Sequence, residues 1–140
     1  MDLRDAPIPA NWILAGEPKA SNHVVATASD NAAITIVWEC TPGLFRWNYD
    51  IDETICFISG SVVISAPGLG ERRYGPGDIL QFHKGETAIW RIEETIRKVA
   101  FCRAPLPEPL AFARKIWRAG AKRLRRGRRS AQPTFSAAAG

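Results

Sequence analysis

From Ala33 to Cys102 the chain is a succession of short apolar and aromatic runs broken by glycine and proline. The runs are AITIVWEC (33–40), TICFIS (54–59), SVVISA (61–66), DILQF (78–82), TAIWRI (87–92) and TIRKVAFC (95–102). They recur at roughly ten-residue spacing and are rich in Val, Ile, Thr and aromatics, the composition of half-buried strands. Turn chemistry separates them at Thr41-Pro42-Gly43, Gly60-Ser61, Pro67-Gly68-Leu69-Gly70, Gly75-Pro76-Gly77-Asp78 and Lys84-Gly85. Such short connections leave no room for crossover helices, so the sheet is antiparallel and the fold a sandwich or barrel. Several runs alternate as a sheet with one buried face should. In 87–92, Ala88, Trp90 and Ile92 share a face less cleanly than an ideal alternation.

The pattern changes after Arg103. Residues 104–109, APLPEP, hold three prolines and read as an exit linker. Leu110, Ala113, Ile116, Trp117, Ala121 and Leu124 then recur at spacings of three and four, with Lys and Arg between them. This predicts a basic amphipathic helix over 110–127, with Gly127 as its stop and 128–140 as an Ala/Ser-rich disordered end. The chain is therefore one β domain over 1–103, with its core in 33–103, followed by linker and helix.

Charge divides at the same place. Residues 1–109 carry ten Lys/Arg and fourteen Asp/Glu, whereas 110–140 carry nine Lys/Arg and no acid, so the formal +5 averages two unlike parts. The first twenty residues lack the apolar run of a secretory signal, and no stretch approaches a membrane span. Cys40, Cys56 and Cys102 are odd in number and lack CxxC spacing, so reduced thiols in a cytoplasmic protein are expected, with one reactive thiol as the alternative.

The richest segment is 43–60, GLFRWNYDIDETICFISG, in which Glu53 precedes Gly60 by seven residues. With Trp38-Glu39-Cys40, Phe45-x-Trp47-x-Tyr49, Gly77-Asp78, Trp90-Arg91-Ile92 and Arg97-Lys98, the chain resembles the cupin superfamily over residues 33–103. Within it, the pattern is similar to the ureidoglycine aminohydrolase-like branch. The resemblance implies an RmlC-like double-sheet jelly-roll barrel, all-β but for the C-terminal helix, and a homodimer. It also implies two histidines before the glutamate and a third on a later strand, holding a metal. Trp47, Tyr49 and Ala88 stand at those three positions, and the two histidines of the chain, His23 and His83, fall elsewhere. A divalent cation in such a barrel needs about three imidazoles and a carboxylate, so neither metal nor other cofactor is expected.

What remains is a carboxylate among aromatics. Trp47, Tyr49, Glu53, Trp90 and Lys98 are the candidate ligand-binding residues, with Lys98 the partner that the resemblance implies for Glu53 and Tyr49 a further donor. A buried carboxylate must be paired, hydrogen-bonded or protonated. Three readings stand: a metal-free cupin that binds a small molecule or merely fills its barrel; a cupin hydrolase or isomerase using Glu53, Tyr49 and Lys98; and a protein acting through its tail. In the last, Arg114, Lys115, Arg118, Lys122, Arg123, Arg125 and Arg126 form a basic surface for an anionic membrane or a polyanion such as nucleic acid.

Overall fold

The computed structural model describes residues 1–129. The expected disordered end from Ser130 onward lies outside the described residues. The chain divides into two compact units, Met1–Pro105 and the segment from Leu106.

The first unit is an antiparallel barrel of nine strands: β1 (Arg4–Asp5), β2 (Ile13–Ala15), β3 (Ala20–Thr27), β4 (Ala33–Cys40), β5 (Gly43–Asn48), β6 (Asp52–Ala66), β7 (Gly70–Tyr74), β8 (Ile79–Phe82) and β9 (Thr87–Arg103). Two long strands organise it. β6 and β9 pair along most of their length, from Asp52↔Arg103 to Ser65↔Ile89. On its other edge β9 pairs with β4 through Arg103–Ile96 and with β5 through Ile92–Thr87. β6 likewise takes β8 on its first half and β7 on its second. One sheet thus runs β1-β3-β4-β9-β6-β8 and the other β2-β5-β9-β6-β7, both built on the same two bent strands.

The bend corrects the sequence reading at one point. Gly60-Ser61 is not a hairpin turn: the runs 54–59 and 61–66 are one strand, and so are 87–92 and 95–102. The β6–β9 register shifts between Phe57 and Val62, the signature of a bulge. Gly60 sits there with φ of +86°, and a Cβ on it would stand 2.2 Å from the Thr95 carbonyl oxygen. Only glycine lets the strands approach so closely while turning the corner.

Alternation then decides the core. Ala88, Trp90 and Ile92 all point inward and are buried, a cleaner pattern than the sequence suggested. Phe45, Ile55, Phe57, Ile64, Ile96 and Ala100 complete the interior, each at most 1% exposed.

The described part of the second unit holds one helix, α1 (Glu108–Arg129), longer at both ends than the periodicity indicated. Pro109 lies in its first turn, where no backbone donor is needed, and Gly127 does not stop it. Among its described side chains Leu110, Phe112, Ile116 and Trp117 are all exposed.

Candidate functional site

β5, β6 and β9 carry the five candidate residues to one region of the barrel interior. Glu53 is the second residue of β6 and faces inward with Ile55 and Phe57. Lys98 faces inward from β9 with Ile96, Ala100 and Cys102. Glu53 lies across from Cys102 and Lys98 across from Phe57, and their long side chains close the offset. Lys98 Nζ donates to Glu53 Oε1 at 2.6 Å, with Lys98 4% and Glu53 6% exposed.

The ammonium is walled by tryptophans. Its nitrogen is 4.8 Å from the Trp38 ring centre, 4.9 Å from Trp90 and 6.0 Å from Trp47. Trp38 stands directly opposite Lys98 in the β4–β9 register. The electron-rich ring faces stabilise a cation held away from water. Trp12 extends the wall outward, edge-on to Trp47 at 5.2 Å, and both are only half buried.

Tyr49 stacks on Phe82 with ring centres 4.2 Å apart. Its hydroxyl accepts the Trp90 indole N–H at 3.2 Å; this bond, and not the donation to Glu53 considered from sequence, is the one it makes among the described residues. Burial, reinforced by the charge of Glu53, pushes its pKa well above the ordinary value despite the bond from Trp90. At neutral pH it is a phenol and does not act as a base.

Burial pushes the Cys40 thiol up to about 12, against the pull of Lys98. Burial, then the charge of Glu53, pushes Cys102 up to about 11. Neither is a thiolate near neutrality; Cys56 is free and half buried. His83 lies on the surface with Nδ1 3.7 Å from Asp52, and His23 Nδ1 is 3.1 Å from the Asp2 carbonyl. The Asp78 carboxylate accepts the Gly75 N–H at 3.0 Å, a turn-holding bond.

These positions bear on a metal. Trp47 pairs across β5–β9 with Ala88, so the positions at which ligand imidazoles are expected carry an indole, a phenol and a methyl group. The one carboxylate in the set is already bound to an ammonium, whose positive charge would stand beside any cation placed there. No three His, Cys, Asp or Glu side chains cluster among the described residues. The residues present do not fit a divalent ion.

The pair keeps unused hydrogen-bonding capacity. Lys98 has three N–H groups and spends one on Glu53. No donor reaches Glu53 Oε2 among the described residues, yet no buried side-chain polar atom there lacks a partner, so this oxygen retains some exposure. A cleft of about 540 Å³ opens nearby, lined by Leu69, Gln81, Phe82, His83 and Glu86 among others. It borders Tyr49 through the stacked Phe82 ring and through Gly85 and Glu86, which bond the Tyr49 backbone, and neither Glu53 nor Lys98 lines it. Trp12 and the part played by Phe82 were not legible in sequence, because only the register and barrel closure bring them to the site.

Two sheets sharing two bent strands, with the motif glutamate facing inward, define a cupin jelly roll. The chain belongs to the EutQ-like cupin domain family, which residues 27–100 match. Comparison with curated proteins gives no match. Among solved structures, a DUF861-family protein of unknown function from Pseudomonas syringae pv. tomato DC3000 superimposes with a TM-score of 0.66 at 19% identity, over 73% of this chain and 44% of that one. The ethanolamine utilization protein EutQ of Salmonella typhimurium LT2 gives 0.53 at 15% identity, over 61% and 69%. Ectoine synthase from P. lautus gives 0.52 at 15%, over 68% and 71%. The chain spans less than half the length of the Pseudomonas protein. At these identities the likeness is one of fold.

Proposed function

We propose that the protein is a metal-free, small-molecule-binding cupin whose ligand meets the Lys98–Glu53 pair against Trp47, Tyr49 and Trp90. The observation that carries the reading is the pair itself: a 2.6 Å ion bond in an aromatic box, with ammonium protons and one carboxylate oxygen left over. A purely structural pair is favoured when every lone pair and proton is satisfied. A ligand that both donates and accepts, an amide or a zwitterion, matches what is left. The resemblance to ureidoglycine aminohydrolase-like domains also supports an amide-bearing ligand. Hydrolysis is not part of the proposal, because the Glu53 carboxylate is tied to Lys98 and the buried Tyr49 stays a phenol at neutral pH. We further propose a homodimer that covers exposed strand edges, in the reducing cytoplasm that three free thiols suit.

The test has two arms. Protein purified without a histidine tag should carry far less than one equivalent of Fe, Mn, Ni or Zn; one equivalent, lost in Glu53→Ala, would sink the metal-free reading. A panel of small amides and amino acids should include compounds that raise the melting temperature and change tryptophan fluorescence. The double variant Glu53→Gln, Lys98→Met should stay folded and lose the response. A response that survives in it would place the ligand elsewhere.

A further inference from the structure

The cupin site leaves α1 unexplained. We propose that α1 lies in the surface of an anionic lipid bilayer, with its apolar face inserted and its basic face at the headgroups. At about 100° per residue, Leu110, Phe112, Ala113, Ile116 and Trp117 fall in one half of the helix circumference. Arg114, Lys115 and Arg118 fall in the other. Beyond Ala121 the sequence blurs the segregation: Lys122, Arg125, Arg126 and Arg129 take positions in the basic half, but Arg123 and Arg128 take positions beside Leu124 in the apolar half, so the clean two-faced stretch is the one from Leu110 to Arg118.

The large apolar side chains described in this half are exposed. Leu110 is 57% exposed, Phe112 67%, Ile116 59% and Trp117 74%. A helix exposing a Trp, a Phe and an Ile beside a row of cations has the two properties that hold interfacial helices on membranes: apolar area to bury and cations to attract anionic lipid. The absence of any acid from 110 to 140 makes the charge complementarity one-sided. Crossing the bilayer is not the geometry, because no described helix is long and apolar enough to span it. A nucleic acid would use the cations but has no need of the apolar half, and only two aromatics, Phe112 and Trp117, accompany the nine cations of 114–129.

The experiment uses the full chain and vesicles of phosphatidylcholine with or without phosphatidylserine, at about 0.1 M salt, where charges still act over roughly 10 Å. Co-sedimentation is expected with the anionic vesicles and not the neutral ones. Replacing Arg114, Lys115 and Arg118 together by Gln should weaken binding about a hundredfold. Ile116→Ser with Trp117→Ser should abolish it. Trp117→Phe should still bind but lose the blue shift of tryptophan emission, since the other tryptophans belong to the barrel. Circular dichroism confirms that each variant keeps its strand signal. No binding to anionic vesicles would overturn the proposal. So would binding that ignores the Ser substitutions, or a duplex DNA that binds the full chain more tightly than the vesicles do.

Discussion

The Lys98–Glu53 pair makes an asymmetric prediction. Lys98→Met leaves the Glu53 carboxylate buried without its ammonium partner and with little water in reach. Breaking a buried pair in this way costs about 3–5 kcal/mol, which for a barrel of this size lowers the melting temperature by roughly 15 °C or more. Glu53→Gln leaves the cation instead. The amide oxygen still accepts an ammonium N–H, and the Trp38 and Trp90 faces at 4.8 and 4.9 Å go on stabilising it. Each face contributes about 0.5–2 kcal/mol, so the loss should be smaller, about 1–2 kcal/mol. The double variant Lys98→Met, Glu53→Gln removes both charges and should fall close to Glu53→Gln, giving a coupling energy equal to the Lys98→Met loss, about 3–5 kcal/mol. Urea denaturation followed by tryptophan fluorescence measures all four corners of the cycle. Glu53→Gln as damaging as Lys98→Met, or simple additivity in the double variant, would refute the claim that the tryptophan box is built around the cation.

Other expectations follow from single positions. Gly60→Ala should destabilise by at least about 3 kcal/mol, because the new Cβ strikes the Thr95 carbonyl as well as straining the backbone. Gly68→Ala, at φ +82° with nothing within 4 Å, should cost only about 1 kcal/mol, and equal losses would reject the close-approach argument. A thiol reagent on the native protein should modify Cys56 first and reach Cys40 and Cys102 only with unfolding; rapid labelling of all three would contradict their burial. Stability should fall as pH rises from 9 toward 12. The folded state there retains thiol protons that the unfolded chain, with ordinary values near 9.0, releases, so the unfolded state binds fewer protons. Each unit of separation between folded and unfolded pKa is worth at most about 1.4 kcal/mol. Cys40→Ala with Cys102→Ala should flatten that decline, and an unchanged slope would assign it to other groups.

The strands that sequence reading located are those with an apolar period, such as Ala33–Cys40. β7 escaped because four of its five residues are exposed and its sequence, GERRY, has no apolar pattern. β3 escaped because Val24 and Val25 are both exposed beside a register shift, which blurs the alternation. Gly60 looked like a hairpin glycine because a bulge and a turn ask the same positive φ of the chain; only pairing across the sheet distinguishes them. At the site, Trp47, Tyr49, Glu53, Trp90 and Lys98 stood out by type and by resemblance to the cupins. The nearness of Trp38 to Lys98 is a fact of register between strands sixty residues apart, which local pattern does not carry.

The sharing of β6 and β9 by both sheets also governs how the barrel comes apart. Neither sheet can open without unzipping a strand that the other also needs, so the barrel should behave as one cooperative unit. Amide protons along the two strands should exchange together, and only through global unfolding, while β1 and β2 at the sheet margins exchange early. Folding has the matching constraint. Ends as distant as Asp52 and Arg103 must meet before either sheet has its central pair, which favours slow, closure-limited folding over the quick zipping of a local hairpin.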